Sequence, residues 1–512
     1  MNKLLALGIV ICFFICNQSL IAQDKGSEIK LQDFDQRMQK IMEDWNVPGC
    51  AIGIVRSGKL VYAKGFGYRD IGNKLPVTPD TLFAIGSNTK LFTATAIGFL
   101  VEEGKLEWDI PIKTRIPSIQ FYNDQLNNSI TLRDMLAHRT GLNSPDAIWF
   151  YSNFSRHELF EKLKYCEPNY GFRETFEYNN FMYMAAGEVI CLISGKTWEE
   201  FVKERIFKPL EMNSANFTIG DMEKTPDYAK PYKNDYVDNK IAAIHYNRNL
   251  QGIGPAGSIN SSVREMANWA ICQLNKGNFK GNQVISNKII EETMKPNFIS
   301  NWYSGELFKE ISCGLYGLGR VGSSYKGHFM SEHGGTIDGF RSQVTIFPDD
   351  DLGIICLFNS HSVTLGNFLQ YEIADRMLGL QKTDWNKRIM ESRKINIEKY
   401  KKSLVEKKPQ KIQNTKPSHK LADYIGEYEN EIYGKMTIEL VGEQLWFKFK
   451  IFHFPLNHIH YDQFETPDHK QYGQYKVAFL TNNQGMIDQI QMEMDKPDVV
   501  FKKVEKKLSD IK

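Results

Sequence analysis

The chain places a serine three residues before a lysine in four places: Ser27–Lys30, Ser87–Lys90, Ser323–Lys326 and Ser509–Lys512. A serine hydroxyl attacks a carbonyl only when a base takes its proton. Residues i and i+3 share a helix face, so a lysine at that spacing can reach the serine oxygen. It acts as a base only if burial or neighbouring positive charge keeps it neutral. Ser87 stands just before an apolar helical stretch containing Leu91, Phe92, Ala96, Phe99 and Leu100. There the positive end of the helix dipole also favours a developing alkoxide. The other copies lack this setting: Ser27 follows an N-terminal leader, Ser323 falls in a glycine-flanked loop and Ser509 in the terminal tail. A plain helix cap is the structural alternative for Ser87, so context has to decide.

The elements that must hold such a pair are legible from periodicity. Phe34, Met38, Ile41, Met42 and Trp45 recur at helical spacing over residues 31–46. "CAIGIVRSGKLVYAKGFGYRD" reads as a hairpin around Arg56-Ser57-Gly58-Lys59. The middle of the chain is mostly helical. Thr131–Gly141 is a short helix, Ser155 and Glu158 stand at capping-box spacing, and two apolar helices stop at Gly195 and Gly277. Strand patterns return after residue 314 in "YGLGRVG", "RSQVTIFPDD" and "LGIICLFNS". Early strands, central helices and late strands predict one α+β domain whose terminal segments share a sheet. Residues 385–420 are lysine-rich, a linker or an exposed helix. Residues 421–505 alternate apolar and polar around short turns, which predicts a small antiparallel barrel or sheet.

Taken in order, "GSNTK", "TLRDMLAHRTGL", "FEYNNFMYMAAGEVI", "IFKPLEMNSANF", "GPAGSINSSVREMANW" and "EHGGTIDGFRSQVTIFPDD" resemble the penicillin-recognising serine hydrolases. The likeness is to the branch holding class C β-lactamases, related esterases and D-amino-acid-directed peptidases, and it covers roughly residues 31–380. It implies an antiparallel sheet flanked by helices, an all-helical lobe, and domain limits of 23–384 for the hydrolase and 421–505 for a lipocalin-like β-domain. It also implies an acyl-enzyme on Ser87 with Lys90 beside it.

The family's second motif is Tyr-x-Asn, present at Tyr151, Tyr178, Tyr232 and Tyr428. Tyr178 is preferred because an apolar helix follows it directly, whereas Tyr151 precedes the Ser155 capping box. The resemblance assigns Tyr178 proton transfer to the leaving group, and Asn180 a hydrogen bond to the substrate's acyl side chain. A tyrosine, with a normal pKa of about 10, needs cationic neighbours to act as a base. Lys90 and Tyr178 would titrate as a coupled pair. The third motif, usually Lys-Thr-Gly, is His333-Gly334-Gly335 here. It implies a substrate-side role for His333, as donor to Tyr178 or to a substrate carboxylate, glycines that admit a substrate backbone, and an oxyanion hole from the N–H groups of Ser87 and Thr336. His138 matches a position that is architectural in the family.

The expected activity is hydrolysis of peptide, amide or ester bonds, including those of D-residue or cell-wall fragments, with no cofactor and no metal. The alternatives are a true β-lactamase or DD-peptidase, and a non-catalytic binder of wall peptides or protein. The formal charge of +2 over 512 residues argues for no nucleic-acid partner. Mean hydropathy of -0.40 excludes a protein with many membrane spans. Lys3, the apolar run Leu4–Cys16 and a cut after Ala22 read as a signal peptide over residues 1–22, leaving an exported, periplasmic or secreted protein with no integral span. Six cysteines remain, without a close C-x-x-C pair, and buried thiols are the expectation. His453, His458 and His460 read as structural rather than as a zinc set. Homo-oligomers through the C-terminal domain are a further expectation of the resemblance.

Overall fold

The 3.6-residue recurrence near the N-terminus does form a helix. In the computed structural model α1 spans Phe34–Trp45, and all five periodic residues are buried. The structure describes residues 30–149, 152–301, 305–360, 365–406, 412–469, 471–495 and 497–504. The leader, Ser27, Ser509 and Tyr151 lie outside them.

The chain divides into two compact units. The first comprises Met1–Thr95, Val202–Ala243 and Ile259–Ile397. Its hairpin is where the sequence places it: β1 (Gly49–Arg56) and β2 (Lys59–Asp70) flank Ser57 and Gly58, whose positive φ values of 50° and 66° give a two-residue turn that matches the right-handed twist of the strands. The other strands of the sheet are β3 (Leu75–Pro76), β4 (Phe298–Asn301), β5 (Gly314–Tyr316), β6 (Val321–Tyr325), β7 (His328–Ile337), β8 (Phe340–Phe347) and β9 (Leu352–Phe358). They run in the order β4-β5-β6-β7-β8-β9-β1-β2-β3, every neighbouring pair antiparallel. Early and late strands therefore share one sheet through the β1–β9 pairing, as expected.

That sheet buries β9 along its whole length and packs on one side against α1 and the helix Leu365–Leu378. Trp385, the first residue of the helix Trp385–Glu406, is fully buried in the same core, and its indole N–H donates to the Tyr325 hydroxyl at 3.0 Å. The lysine-rich stretch thus opens on an anchored helix. Ser323 lies on β6, not in a loop, and Lys326 pairs with Asp375 at 2.7 Å, so this Ser-x-x-Lys is structural.

The second unit comprises Ala96–Phe201, Ile244–Ser258 and Glu398–Lys512. Its helical part contains Leu132–Leu136, with a Thr131/Asp134 capping box, and Arg156–Glu161, with the Ser155/Glu158 box. The first ends before Gly141, because His138 already turns left-handed at φ 57°. The apolar helix Asn180–Ser194 stops at Gly195 (φ 71°). Its C-terminal part is a nine-stranded antiparallel sheet curled into a nearly closed barrel. Among the described residues no helix is long and apolar enough to cross a membrane, and no three His, Cys, Asp or Glu gather as a metal set. Cys50, Cys166, Cys191, Cys272, Cys313 and Cys356 are free thiols.

Candidate active site

In the first unit the nucleophile candidate sits on a single 3-10 turn, Gly86–Asn88, that leads into the helix Thr89–Glu102. Ser87 is the one half-exposed residue between Thr81 and Lys90; its neighbours are buried. Lys90 is fully buried, and its Nζ donates to Ser87 Oγ at 3.1 Å. Behind the turn, Phe92 stacks on Trp269 at 4.0 Å between ring centroids, which fixes the helix against Val263–Leu274. Ser87 is thus paired with a lysine and reaches the surface, which a purely capping serine does not need.

The turn is pinned to β7 and β8 by residues the sequence did not single out. Ser342 Oγ donates to Ile85 O at 2.6 Å and accepts from Asn88 Nδ2 at 2.7 Å. A β-carbon on Gly86 (φ 51°) would stand 2.8 Å from Thr336 N, and one on Gly335 only 2.0 Å from Ile85 O. Gly335 is therefore needed first by the protein itself, so that the nucleophile turn can lie on the strand. The backbone N of Thr336 is brought against that turn as a consequence, and its exposed side chain is held by a 2.6 Å bond from Arg341. Gly334 has more room, its nearest neighbour being Gln343 Oε1 at 3.2 Å. A lone serine at an inward strand position carries no sequence signal that would have revealed Ser342.

His333 makes hydrogen bonds through both ring nitrogens. Its Nδ1 is 2.6 Å from Gly334 O, a carbonyl that can only accept, so Nδ1 carries the proton. In the neutral ring Nε2 then accepts from the Tyr316 hydroxyl at 3.1 Å. Burial, reinforced by the nearby Lys90, pushes the imidazole down to about 4. The ring is therefore neutral through the physiological range. We expect His333→Asn to leave the shape of the kcat/KM profile unchanged between about pH 5 and 8, measured by initial rates; a limb lost in that window would show that His333 titrates there.

In the second unit Tyr178 stands two residues before Asn180, the first residue of the helix Asn180–Ser194, with Asn179 between them as the N-cap. Asn179 accepts from Met182 N at 3.1 Å and donates to Leu142 O and Asn143 O at 3.0 and 2.9 Å. His138, fully buried, accepts from Asn179 N at 2.9 Å and packs against Tyr178 with centroids 4.3 Å apart. Tyr178 is 36 % exposed, whereas the rival Tyr428 is fully buried and donates to Tyr424 O at 2.8 Å. Tyr232, in the first unit, accepts from Ile71 N at 2.8 Å.

The loop before this helix is braced by the barrel. Lys450 Nζ donates to Ala147 O at 2.7 Å and to Ile148 O, and Asp495 Oδ2 accepts from Ala147 N at 3.0 Å and from Tyr433 at 2.7 Å. Burial pushes Lys450 down to about 7 and Asp495 up to about 6. Folding therefore binds the Asp495 proton more tightly than the unfolded chain does. The stability from this group is complete below about pH 4 and is lost as pH rises through 6, at most about 3 kcal/mol. Asp495→Asn should flatten that decline in a urea-unfolding series from pH 4 to 7; an unchanged slope would sink this assignment.

Comparison with known proteins identifies the family and the fold. The family model described as Beta-lactamase matches residues 34–375, and a domain of unknown function, DUF3471, matches residues 410–507. The chain is 25% identical to an unguisins hydrolase of Aspergillus campestris over 453 residues, covering 81% of this chain and 79% of that protein. It is 26% identical to protein flp of Staphylococcus aureus over 341 residues, 65% of this chain and 63% of that protein, somewhat under two thirds of its length. Among solved structures, the octameric penicillin-binding protein homologue from Pyrococcus abyssi superposes with a TM-score of 0.59 at 22% identity, covering 92% of this chain and 100% of that one. The D-amino acid amidase from Ochrobactrum anthropi superposes with a TM-score of 0.55 at 22% identity, covering 67% and 98%. A family match across two thirds of the sequence, falling on the sheet and on the turn that presents Ser87, establishes that this chain belongs to the beta-lactamase family and is a serine hydrolase of that fold.

Proposed function

We propose that the protein is an exported hydrolase that forms an acyl-enzyme at Ser87 on amide, peptide or ester substrates, those with D-residues or from cell-wall fragments among them. The observation that carries this is the 3.1 Å bond from a fully buried Lys90 to the half-exposed Ser87. Lys90, in its uncharged form, takes the Ser87 proton as Oγ adds to the substrate carbonyl. The N–H groups of Ser87 and Thr336 receive the developing oxyanion. As the tetrahedral species collapses, the C–N or C–O bond breaks, and the leaving group takes a proton through Tyr178 or Lys90. Water then adds to the acyl carbonyl, and Ser87 leaves reprotonated. Asn180 and the His333–Gly335 strand position the acyl portion in this reading. Export rests on the leader read over residues 1–22, and the domain limits given above are kept as part of the proposal.

A β-lactam or a wall peptide carries a carboxylate that the lysine usual in the third motif would meet. His333, neutral and bonded to Tyr316, supplies no such charge, which favours amides and esters over β-lactams. The test is a fluorophosphonate probe followed by peptide mass spectrometry. An adduct on Ser87 that disappears in Ser87→Ala supports the acyl-enzyme; equal labelling of both proteins, or none, overturns it in favour of a binding protein.

A further inference from the structure

A positive charge is shut inside the first unit without an acid beside it. Arg320 ends the turn between β5 and β6, where Gly317 N donates to Arg320 O at 2.8 Å. The residue is 2 % exposed. Its Nη2 donates to Oε1 of Gln273, on the helix Val263–Leu274. Among the described residues that is its one side-chain hydrogen bond, and no carboxylate stands within ion-pair distance of it.

This bond leaves two donors over. Nε of Arg320 meets no acceptor among the described residues, and neither does Nε2 of Gln273, itself only 4 % exposed. Turning the Gln273 amide gives no relief, because a guanidinium only donates and Oε1 must face it. Both residues line one cavity of about 30 Å³, to which Ser331 adds a hydroxyl. Leu91, Trp269, Val344 and Ile346 supply its apolar wall. Two other titratable groups line it, and neither offsets the charge. Glu332 accepts from Gln343 Nε2 at 2.7 Å, and burial pushes its carboxyl upward, toward the neutral acid. His333 is neutral, with both ring nitrogens engaged.

A buried charge is costly unless it is paired. Burial pulls the Arg320 guanidinium down to about 9, which still leaves it protonated at neutral pH. Water would satisfy the N–H groups but bring no countercharge. The cavity holds one or two particles the size of water, too little for a phosphate or a carboxylic acid. A single monatomic anion meets the charge, the donors and the volume together. The place also matters to the fold. The turn before Arg320 rests on the helix that follows Ser87: a β-carbon on Gly319 (φ 78°) would stand 2.8 Å from Leu91 N.

We infer that this cavity is a binding site for a halide ion of the size of chloride, held by Arg320 Nε and Gln273 Nε2, which braces the start of the helix Thr89–Glu102 against its neighbours. The site stands whether or not Ser87 forms an acyl-enzyme.

The test uses the full chain and needs no turnover. The melting temperature is followed as sodium chloride replaces sodium gluconate at constant ionic strength, gluconate being too large to enter. One site filled only in the folded protein should raise the melting temperature by about 1–2 °C for each tenfold rise in chloride above the dissociation constant. Bromide should act in the same way. Arg320→Gln, which removes the charge, should abolish the response. A melting temperature indifferent to the choice of anion, as a water-filled cavity would give, overturns the inference. A response that survives Arg320→Gln also overturns it and marks an adventitious ion only. If that variant fails to fold, wild-type crystals grown in sodium bromide decide. An anomalous-scattering peak between Arg320 Nε and Gln273 Nε2 supports the site, and its absence overturns it.

Discussion

Replacing Ser87 by alanine should reduce turnover by on the order of 10^4-fold or more, to the level left by binding and oxyanion stabilisation. The hydroxyl forms the new bond, and of the two described Ser-x-x-Lys serines only Ser87 accepts a hydrogen bond from its lysine. Ser323, the other described member of the four Ser-x-x-Lys sites, sits buried on a strand with its lysine committed to Asp375. The folded structure should be indifferent to the change, since the Ser87 side chain is half-exposed and the turn is held by Ser342, Asn88 and Ile85 instead. The measurement is single-turnover hydrolysis of a short acyl ester beside a melting curve. Residual activity above about a hundredth of wild type at unchanged melting temperature would move the nucleophile elsewhere.

Gly335→Ala should be the second most damaging single change to activity. Its added carbon would fall 2.0 Å from Ile85 O and 2.4 Å from Ser342 Oγ, and the first of these is backbone that cannot swing aside. Either β7 or the nucleophile turn has to move. Overpacking of this kind costs about 2–3 kcal/mol, and displacing a reacting group by an ångström costs on the order of 10^2-fold in rate. Gly334→Ala is the internal control. Its new carbon would meet the far end of Gln343 at 3.2 Å, a flexible side chain that can yield, so the loss should stay within about 1 kcal/mol. Denaturant unfolding together with the labelling rate at Ser87 separates the two; equal effects at both glycines would show that the turn is not seated against Gly335.

Much of the scaffold was legible because its signals are local. The period of α1, the turn at Ser57-Gly58, the capping boxes at Thr131 and Ser155 and the αL stop at Gly195 each depend on a few neighbouring residues, and each is present. The errors were local too. The glycines flanking Ser323 look like turn residues and predict a loop, yet Val321 to Tyr325 pair with the next strand from Glu332 to His328. Composition groups Trp385 with a lysine-rich stretch, although its indole is buried beside Tyr325 and Phe308.

By itself the sequence determined the nucleophile candidate, the order of its motifs and the two kinds of architecture, since ordered motifs and hydrophobic periods are written along the chain. Only the tertiary structure decided the rest. That Ser342 pins the Ser87 turn across 257 residues, that His333 is kept neutral beside Tyr316, and that Arg320 meets Gln273 rather than an acid all depend on which distant segments meet. Hydrogen bonds and burial act through space, and no spacing of residues along the chain encodes them.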